Sequence, residues 1–324
     1  MQTSRSKADR EPSERPQSPV TGTVDVELVE TFAAKDLAAL VRRRIGATSL
    51  FDGVSTMGLW RCKASGLKFF DTVICGDAAF YSMLNKHEWY YSEEKPEYSE
   101  AAKLIRSGDK VLDVGCGAGN FAPHLPQGAS FKGLELTESS IELARSRGRD
   151  VIDQTVEDHA SELPGHYDVV TSFHVVEHVP RPMQFMESMT KCLKAGGKIV
   201  VAVPNDESFA GSAVNYLLNL PPHHVTRWTP GSLAYVFEAL GLVDVTLWKE
   251  ELSPLHYEIH FHDLLVRAAF GARRRPLPVV NSGIAFRLAS KMLKLPSRWL
   301  QRAIIPSRPF ATGETMMAVG TKDH

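Results

Sequence analysis

The chain has 324 residues, a formal net charge of −1 at pH 7, 43% hydrophobic and 23% charged residues, which is ordinary globular composition. That length can bury a sizeable core in one large domain plus attachments, and the balanced charge argues against nucleic acid as a partner. No apolar run is long enough for a membrane span, no charged-then-apolar leader opens the chain, and Cys62, Cys75, Cys116 and Cys192 lack the spacing of a disulfide framework, so a cytoplasmic location is expected.

Residues 1–22 are rich in Ser, Pro, Glu and Arg and nearly devoid of large apolar side chains, which predicts a disordered tail. Residues 23–95 read as an N-terminal cap. From Val24, the residues Leu28, Phe32, Leu37, Leu40 and Val41 recur at near-helical spacing, with Arg42-Arg-Arg44 and Gly46 closing the segment as a helix end would. Trp60 to Tyr91 is rich in aromatics, ending in the cluster Trp89-Tyr-Tyr91.

Residues 96–249 alternate helix and strand patterns, the signature of a parallel sheet covered on both faces. A helix at Glu97–Arg106 precedes a strand at Lys110–Val114. Ser130–Leu136 is the second strand, followed by a helix at Glu138–Arg147 that turns Ile141, Leu143 and Ala144 to the sheet. Val151–Thr155 is the third strand. Tyr167–Phe173 is the fourth, nearly all apolar after Asp168, as a central strand buried on both faces should be. A helix at Met183–Leu193 and a Gly196-Gly197 turn lead to Lys198–Val203. A helix at Ser232–Leu240 leads to Leu242–Leu247, and Thr315–Val319, within 311–324, supplies the last strand.

Residues 250–310 form a basic insertion before that strand. From Leu264 to Gly313 there are ten Lys or Arg and no Asp or Glu, densest at Arg273-Arg-Arg275. Ile284–Ile305 sets Phe286, Leu288, Met292, Leu295, Trp299, Leu300 and Ile304 near helical spacing among basic residues, interrupted at Pro296. Three uses suit such a segment: a lid whose basic face meets a phosphorylated substrate, a peripheral membrane contact through 264–310, or a solvated face without a partner.

The chemistry concentrates in Val111-Leu-Asp-Val-Gly-Cys-Gly-Ala-Gly119, an apolar strand running into a glycine loop. Gly115, Gly117 and Gly119 are spaced G-x-G-x-G, unlike the G-x-G-x-x-G of dinucleotide sites. Asp113 would repel a pyrophosphate there but suits a ligand bearing an ammonium. One βα unit later, Glu135 in Gly133-Leu-Glu-Leu136 stands where an acidic side chain reaches ribose hydroxyls. S-adenosyl-L-methionine (SAM), with an amino-acid end, a ribose and an adenine, meets these requirements.

Together with Tyr167-Asp-Val-Val170, Val176-Glu-His-Val179, Leu193-Lys-Ala-Gly-Gly197 and Pro221-Pro-His-His224, these motifs make the segment from about Cys62 to Gly241 resemble the class I SAM-dependent methyltransferases. The branch it is most similar to comprises ubiquinone-biosynthesis, sugar and natural-product methyltransferases. The resemblance implies an α/β fold with a Rossmann-like, seven-stranded, mostly parallel sheet, helices on both faces and an antiparallel last strand. It implies a cofactor seat of Asp113, Gly115, Cys116, Gly117, Gly119, Glu135 and Leu136, with Val156 and Glu157 toward adenine and Phe173 toward the methionyl end. In related enzymes the N-terminal region can carry a zinc module with paired cysteines. Here Ser65 stands in the second place after Cys62. Ubiquinone-type relatives use a divalent metal near Glu-x-x-Glu-His, and His174 replaces the first of those carboxylates. No metal is expected at either place.

Methylating a hydroxyl requires alignment, exclusion of water and a base, and histidine is the natural base near neutral pH. The candidates are His174 and His178 after the fourth strand, and His223 and His224 in the loop after the fifth, each with a competing structural role. His256, His260 and His262 are expected to pack rather than react. Ser172-Phe-His174 stands where an amide-methylating Asn-Pro-Pro-Tyr would be. The leading expectation is O-methylation of a sugar, polyol or small natural product, a small-molecule or glycan acceptor that phosphate or lipid could also carry. The alternative is a catalytically silent SAM-binding scaffold docked to a membrane or assembly through its basic C-terminal segment.

Overall fold

The computed structural model describes residues 15–71, 74–84, 86, 95–271, 276–303 and 311–323. In chain order the elements are β1 (Val26–Ala33), α1 (Ala34–Arg44), β2 (Thr56–Cys62), β3 (Lys68–Phe70), α2 (Ala78–Leu84), α3 (Pro96–Ala102), β4 (Lys110–Val114), β5 (Ser130–Glu135), α4 (Glu138–Ser146), β6 (Val151–Asp153) and α5 (Val156–Glu162). They continue with β7 (Tyr167–Phe173), α6 (Pro182–Cys192), β8 (Leu193–Pro204), α7 (Phe209–Ser212), β9 (Thr226–Arg227), α8 (Pro230–Ala239), β10 (Leu242–Glu251), α9 (Tyr257–Ala269), α10 (Ile284–Ala303) and β11 (Thr312–Lys322).

Two compact units result. The first gathers Met1–Lys86, Asn205–Arg227 and Glu251–Glu314; the second gathers His87–Pro204, Trp228–Glu250 and Thr315–His324. Most residues of the expected cap (23–86 of 23–95) and of the expected insertion (251–310 of 250–310) therefore fall in one unit, together with a third segment, 205–227.

The second unit carries the seven-stranded sheet, ordered β10-β11-β8-β7-β4-β5-β6. β4 pairs in parallel with β5 and β7, β5 with β6, and β7 with β8. β11 runs antiparallel to β8, from Thr315 opposite Pro204 to Thr321 opposite Lys198. This is the Rossmann-like sheet expected, with the reversal at the last strand. β7 is buried along its length apart from Asp168, which suits a strand with neighbours on both sides and helices on both faces. Beside it Tyr98, Phe121 and Phe173 form an aromatic core cluster, with Phe173 4.9 Å from Tyr98 and 4.8 Å from Phe121 between ring centres.

The first unit carries a four-stranded sheet, β1-β2-β3-β9. Val26–Ala33 is a strand, where the spacing of Leu28 and Phe32 predicts a helix. The register against β2 shifts between Leu28 and Glu30, and this bulge breaks the period-two alternation, so the apolar residues fall at helix-like intervals. The helix begins only at Ala34, burying Leu37, Leu40 and Val41. Order also starts earlier than composition predicts: Ser18 and Val20 are buried, in a turn closed by Gly22 N–H donating to Ser18 O at 2.9 Å. Cys62 is buried, with Thr21 Oγ1 3.7 Å from its sulfur, and all four cysteines are free thiols.

Two helices differ from their sequence patterns. In α4, Ile141 and Ala144 are buried but Leu143 is exposed, because it lies off the face those two share. α10 runs unbroken through Pro296, and Ser297 Oγ donates to Lys294 O at 2.8 Å in the turn that lacks the proline donor. Among the described residues no helix is long and apolar enough to cross a membrane. Residues 1–14 of the expected tail, Trp89-Tyr-Tyr91, Arg273-Arg-Arg275 and Ile304 lie outside the described residues.

Candidate active site

β4 ends at Val114 and the chain turns through Gly115, Gly117 and Gly119, all with left-handed φ, of 72°, 53° and 70°. At Gly115 a Cβ would also overlap the side chain of Val175, so this position excludes any larger residue on two grounds. The loop is tied to the next strand: Gly115 and Cys116 N–H both donate to Leu134 O, at 2.8 and 3.0 Å.

Glu135 closes that tie from the other side. Its Oε2 accepts Gly117 N–H at 2.9 Å, while Oε1 accepts the N–H groups of Leu136 and Thr137 at 2.9 and 2.8 Å. A carboxylate offers about four lone-pair sites, so three amides hold it in place and leave capacity for one more donor. The expected ribose ligand is thereby a fixed acceptor at the end of β5.

Asp113 is buried at the end of β4 and accepts from Thr171 Oγ1 at 2.8 Å across the β4–β7 pair. Burial pushes its carboxyl up to about 7; the Thr171 bond opposes this and the Glu135 charge adds to it. An acid in that state gains from a neighbouring cation. Burial, then the Asp113 and Glu135 charges, also raises the Cys116 thiol well above its ordinary range, so Cys116 is an inert packing residue here. Leu136 is exposed on the same loop edge.

Val156 and Glu157 open α5, which is capped by Thr155 accepting Asp158 N–H at 3.2 Å. Val156 is buried and Glu157 half-buried, so an apolar contact and a carboxylate stand side by side after β6. Phe173 is held edge-on by Tyr98.

His174 follows with φ 56°, a left-handed conformation uncommon outside glycine, in which asparagine, aspartate and histidine are the enriched exceptions. Its Nε2 donates to Glu97 Oε1 at 2.7 Å, and its Nδ1 lies 3.5 Å from Glu177 Oε1. Both carboxylates are buried. Burial and Lys95 oppose a charge on His174, but the Glu177 and Glu97 bonds outweigh them and lift it to about 9. Burial would raise both acids, yet His174 draws each below its ordinary value. His178 Nε2 is 3.8 Å from Glu177 Oε1, so one buried carboxylate serves both rings. Neither Glu97 nor Thr171 stands out in the sequence, since each lies far from the residue it serves.

His223 and His224 belong to the other unit and are both buried. Their rings stack at 4.4 Å. His223 Nδ1 donates to Leu218 O at 3.0 Å, and His224 Nδ1 lies 3.3 Å from Asn219 Oδ1. An Nδ1–H donated to a carbonyl puts the ring's lone pair on Nε2. In the same unit, Phe209 packs against the His256 and His260 rings, and His262 Nε2 donates to Ser290 O at 2.9 Å. This unit also buries an ion cluster that the sequence did not suggest, in which Arg227 and Lys68 both pair with Asp206.

Residues 87–247 match the family model described as a methyltransferase domain. Ubiquinone biosynthesis O-methyltransferases of Klebsiella pneumoniae and Escherichia coli are each 33% identical over 165 residues, covering 46% of this chain and 66% and 67% of theirs. This chain belongs to the class I SAM-dependent methyltransferases. The fold agrees: a SAM-dependent methyltransferase from Archaeoglobus fulgidus superposes with a TM-score of 0.51 at 20% identity, covering 75% of this chain and 100% of that one. The methyltransferase match thus spans about two thirds of the ubiquinone relatives (66% and 65% for two of them) and leaves most of the first unit outside it. S-adenosyl-L-methionine is the cofactor of this family, and the residues fit it: bare glycine backbone, a buried acid poised for a cation, and a fixed carboxylate after β5.

Proposed function

We propose that this methyltransferase transfers a methyl group to an oxygen of a small-molecule acceptor, with sugars, polyols and small natural products as the acceptor classes. The observation that carries the reading is the Asp113–Gly117–Glu135 arrangement, in which glycine backbone lies between two carboxylates suited to opposite ends of one ligand. The relatives' names supply the oxygen acceptor, and the absence of an Asn-Pro-Pro-Tyr at 172–175 agrees with it.

When bound, SAM supplies an electrophilic methyl on a sulfonium. Glu135 would hold the ribose, Asp113 would face the ammonium, and Val156 with Glu157 would bracket the adenine. A hydroxyl acceptor must lose a proton as its oxygen attacks. His174, held as a cation between two acids, cannot take that proton at neutral pH. It acts as a positioning residue that fixes the turn after β7. The base role falls to a ring with its lone pair on Nε2, which His223 and His224 satisfy. His178 is the further candidate, in the unit that carries the glycine loop.

The test is calorimetric titration with SAM followed by transfer of labelled methyl to a panel of hydroxyl and amino acceptors. Absence of SAM binding would defeat the reading. Binding without a methylated product in any acceptor class would favour a silent SAM-binding scaffold instead.

A further inference from the structure

α10 has three faces rather than two. Phe286, Leu293, Ser297 and Leu300 turn inward, with Phe286 packed 5.3 Å from the Phe270 ring and Ser290 held by His262 of α9. Arg287, Lys291, Lys294, Arg298 and Arg302 recur every three or four residues and make a second stripe. Arg298 reaches Glu258 of α9 at 3.0 Å, and α10 itself contains no acidic residue. The third stripe is apolar and in water: Ile284, Leu288, Met292, Leu295 and Trp299 are all exposed, Trp299 by 76%. A helix that only sealed a core would bury this face.

We propose that α10 is a peripheral membrane-docking helix that lays its exposed apolar stripe into the surface of an anionic bilayer. The 20 residues give a rod about 30 Å long, held to α9 by its inward face, so both outer stripes are presented together. Opposite polarity of the stripes fits one occupant: five large apolar side chains enter the acyl boundary while the flanking cations meet anionic headgroups. A tryptophan near the end of the stripe suits the headgroup region, where its ring is partly wet. An acid-free basic flank is not what a second copy of the same helix would complement, since two such stripes repel. The inference is independent of methyl transfer, and it would bring the chain to acceptors carried in a lipid surface.

The experiment sediments the 324-residue chain with vesicles of phosphatidylcholine alone and of phosphatidylcholine mixed with phosphatidylglycerol. Binding to the mixed vesicles only, weakening as salt rises, is the expected result. Met292→Ser/Trp299→Ser and, separately, Lys291→Glu/Lys294→Glu should each lower partition by at least about tenfold. Brominated lipid should quench the emission that Trp299→Phe removes. Far-UV dichroism and SAM titration of each variant check that the fold survives, because these positions are exposed. The proposal is overturned if the wild-type chain ignores anionic vesicles, or if both double variants bind as well as it does. It is also overturned if sedimentation equilibrium finds a dimer that Trp299→Ser dissolves, which would make this face a self-interface. Loss of SAM binding in the wild-type protein would instead count against the methyltransferase reading and leave this one standing.

Discussion

His174 Nε2 donates to Glu97 Oε1 at 2.7 Å, joining the turn after β7 to helix α3 across 77 positions of sequence. Both this bond and the approach to Glu177 depend on a ring that stays charged well above neutral pH.

His174→Gln should therefore destabilise the fold by about 3 kcal/mol, because it leaves two buried carboxylates facing each other without a cation. The sign with pH follows from the raised value. The clamp's stability is fully present below the ordinary histidine value of 6.5 and is lost as pH rises through about 9. Urea midpoints measured from neutral to alkaline pH should fall for the wild type and lie flatter for the variant.

Asp113 gives a slope in a different window. Its carboxyl is raised from 3.8 to about 7, so folding favours the protonated form, and stability without cofactor declines from about pH 4 to 7. Asp113→Asn should remove that decline, which amounts to roughly 1.4 kcal/mol per pH unit at most across the window. A bound ammonium reverses the preference, so SAM binding to the wild type should release protons below pH 7. Calorimetry in buffers of different ionisation heat reads that release directly, and no buffer dependence would remove Asp113 from the cofactor site.

Glu135→Ala should weaken SAM by about ten- to a hundredfold, the worth of hydrogen bonds to a charged group. Part of that loss comes through the loop, since Gly117, Leu136 and Thr137 N–H groups lose their shared acceptor. Glu135→Gln keeps one carbonyl acceptor and should fall between. Equal affinities for all three proteins would place the ribose elsewhere.

Gly115→Ala combines a left-handed backbone with overlap on Val175. A loss of about 2 to 4 kcal/mol is expected from the two sources together. Val175→Ala in the same chain should recover the steric share only, so a double-mutant cycle by chemical denaturation separates them.

His223→Ala and His224→Ala should leave SAM affinity intact and lower turnover, by about 10²- to 10⁴-fold for whichever ring is the base. A bell in the kcat profile that loses its acidic limb in one variant identifies it. Unchanged turnover in both would leave the pair as the packing element their stacking already makes them.

The cofactor sheet was legible because its signals are local. Strand β7 carries Tyr167, Val169, Val170 and Phe173 among its seven positions, and the glycine spacing encodes a loop without help from elsewhere. Glu97 and Thr171 were not legible, because what makes each important is a partner brought alongside by the sheet. The strand at Val26–Ala33 was misread for a related reason: a bulge is a property of pairing with β2, and no single strand's pattern displays it. His174 looked like a base from its residue type alone. Its two buried acids, one of them near in sequence and one remote, favour the charged form of the same ring.

The four-stranded sheet sets assembly against the order of synthesis. Five adjacent parallel strands of the cofactor sheet, β4 to β8, have emerged by Pro204, whereas β3 gains its neighbour β9 only when Thr226 and Arg227 appear. The rest of that unit follows still later, with α9 and α10. During synthesis β3 thus waits for its second neighbour until after β4 to β8 have emerged, and its unsatisfied edge stays open to wrong pairing over that interval.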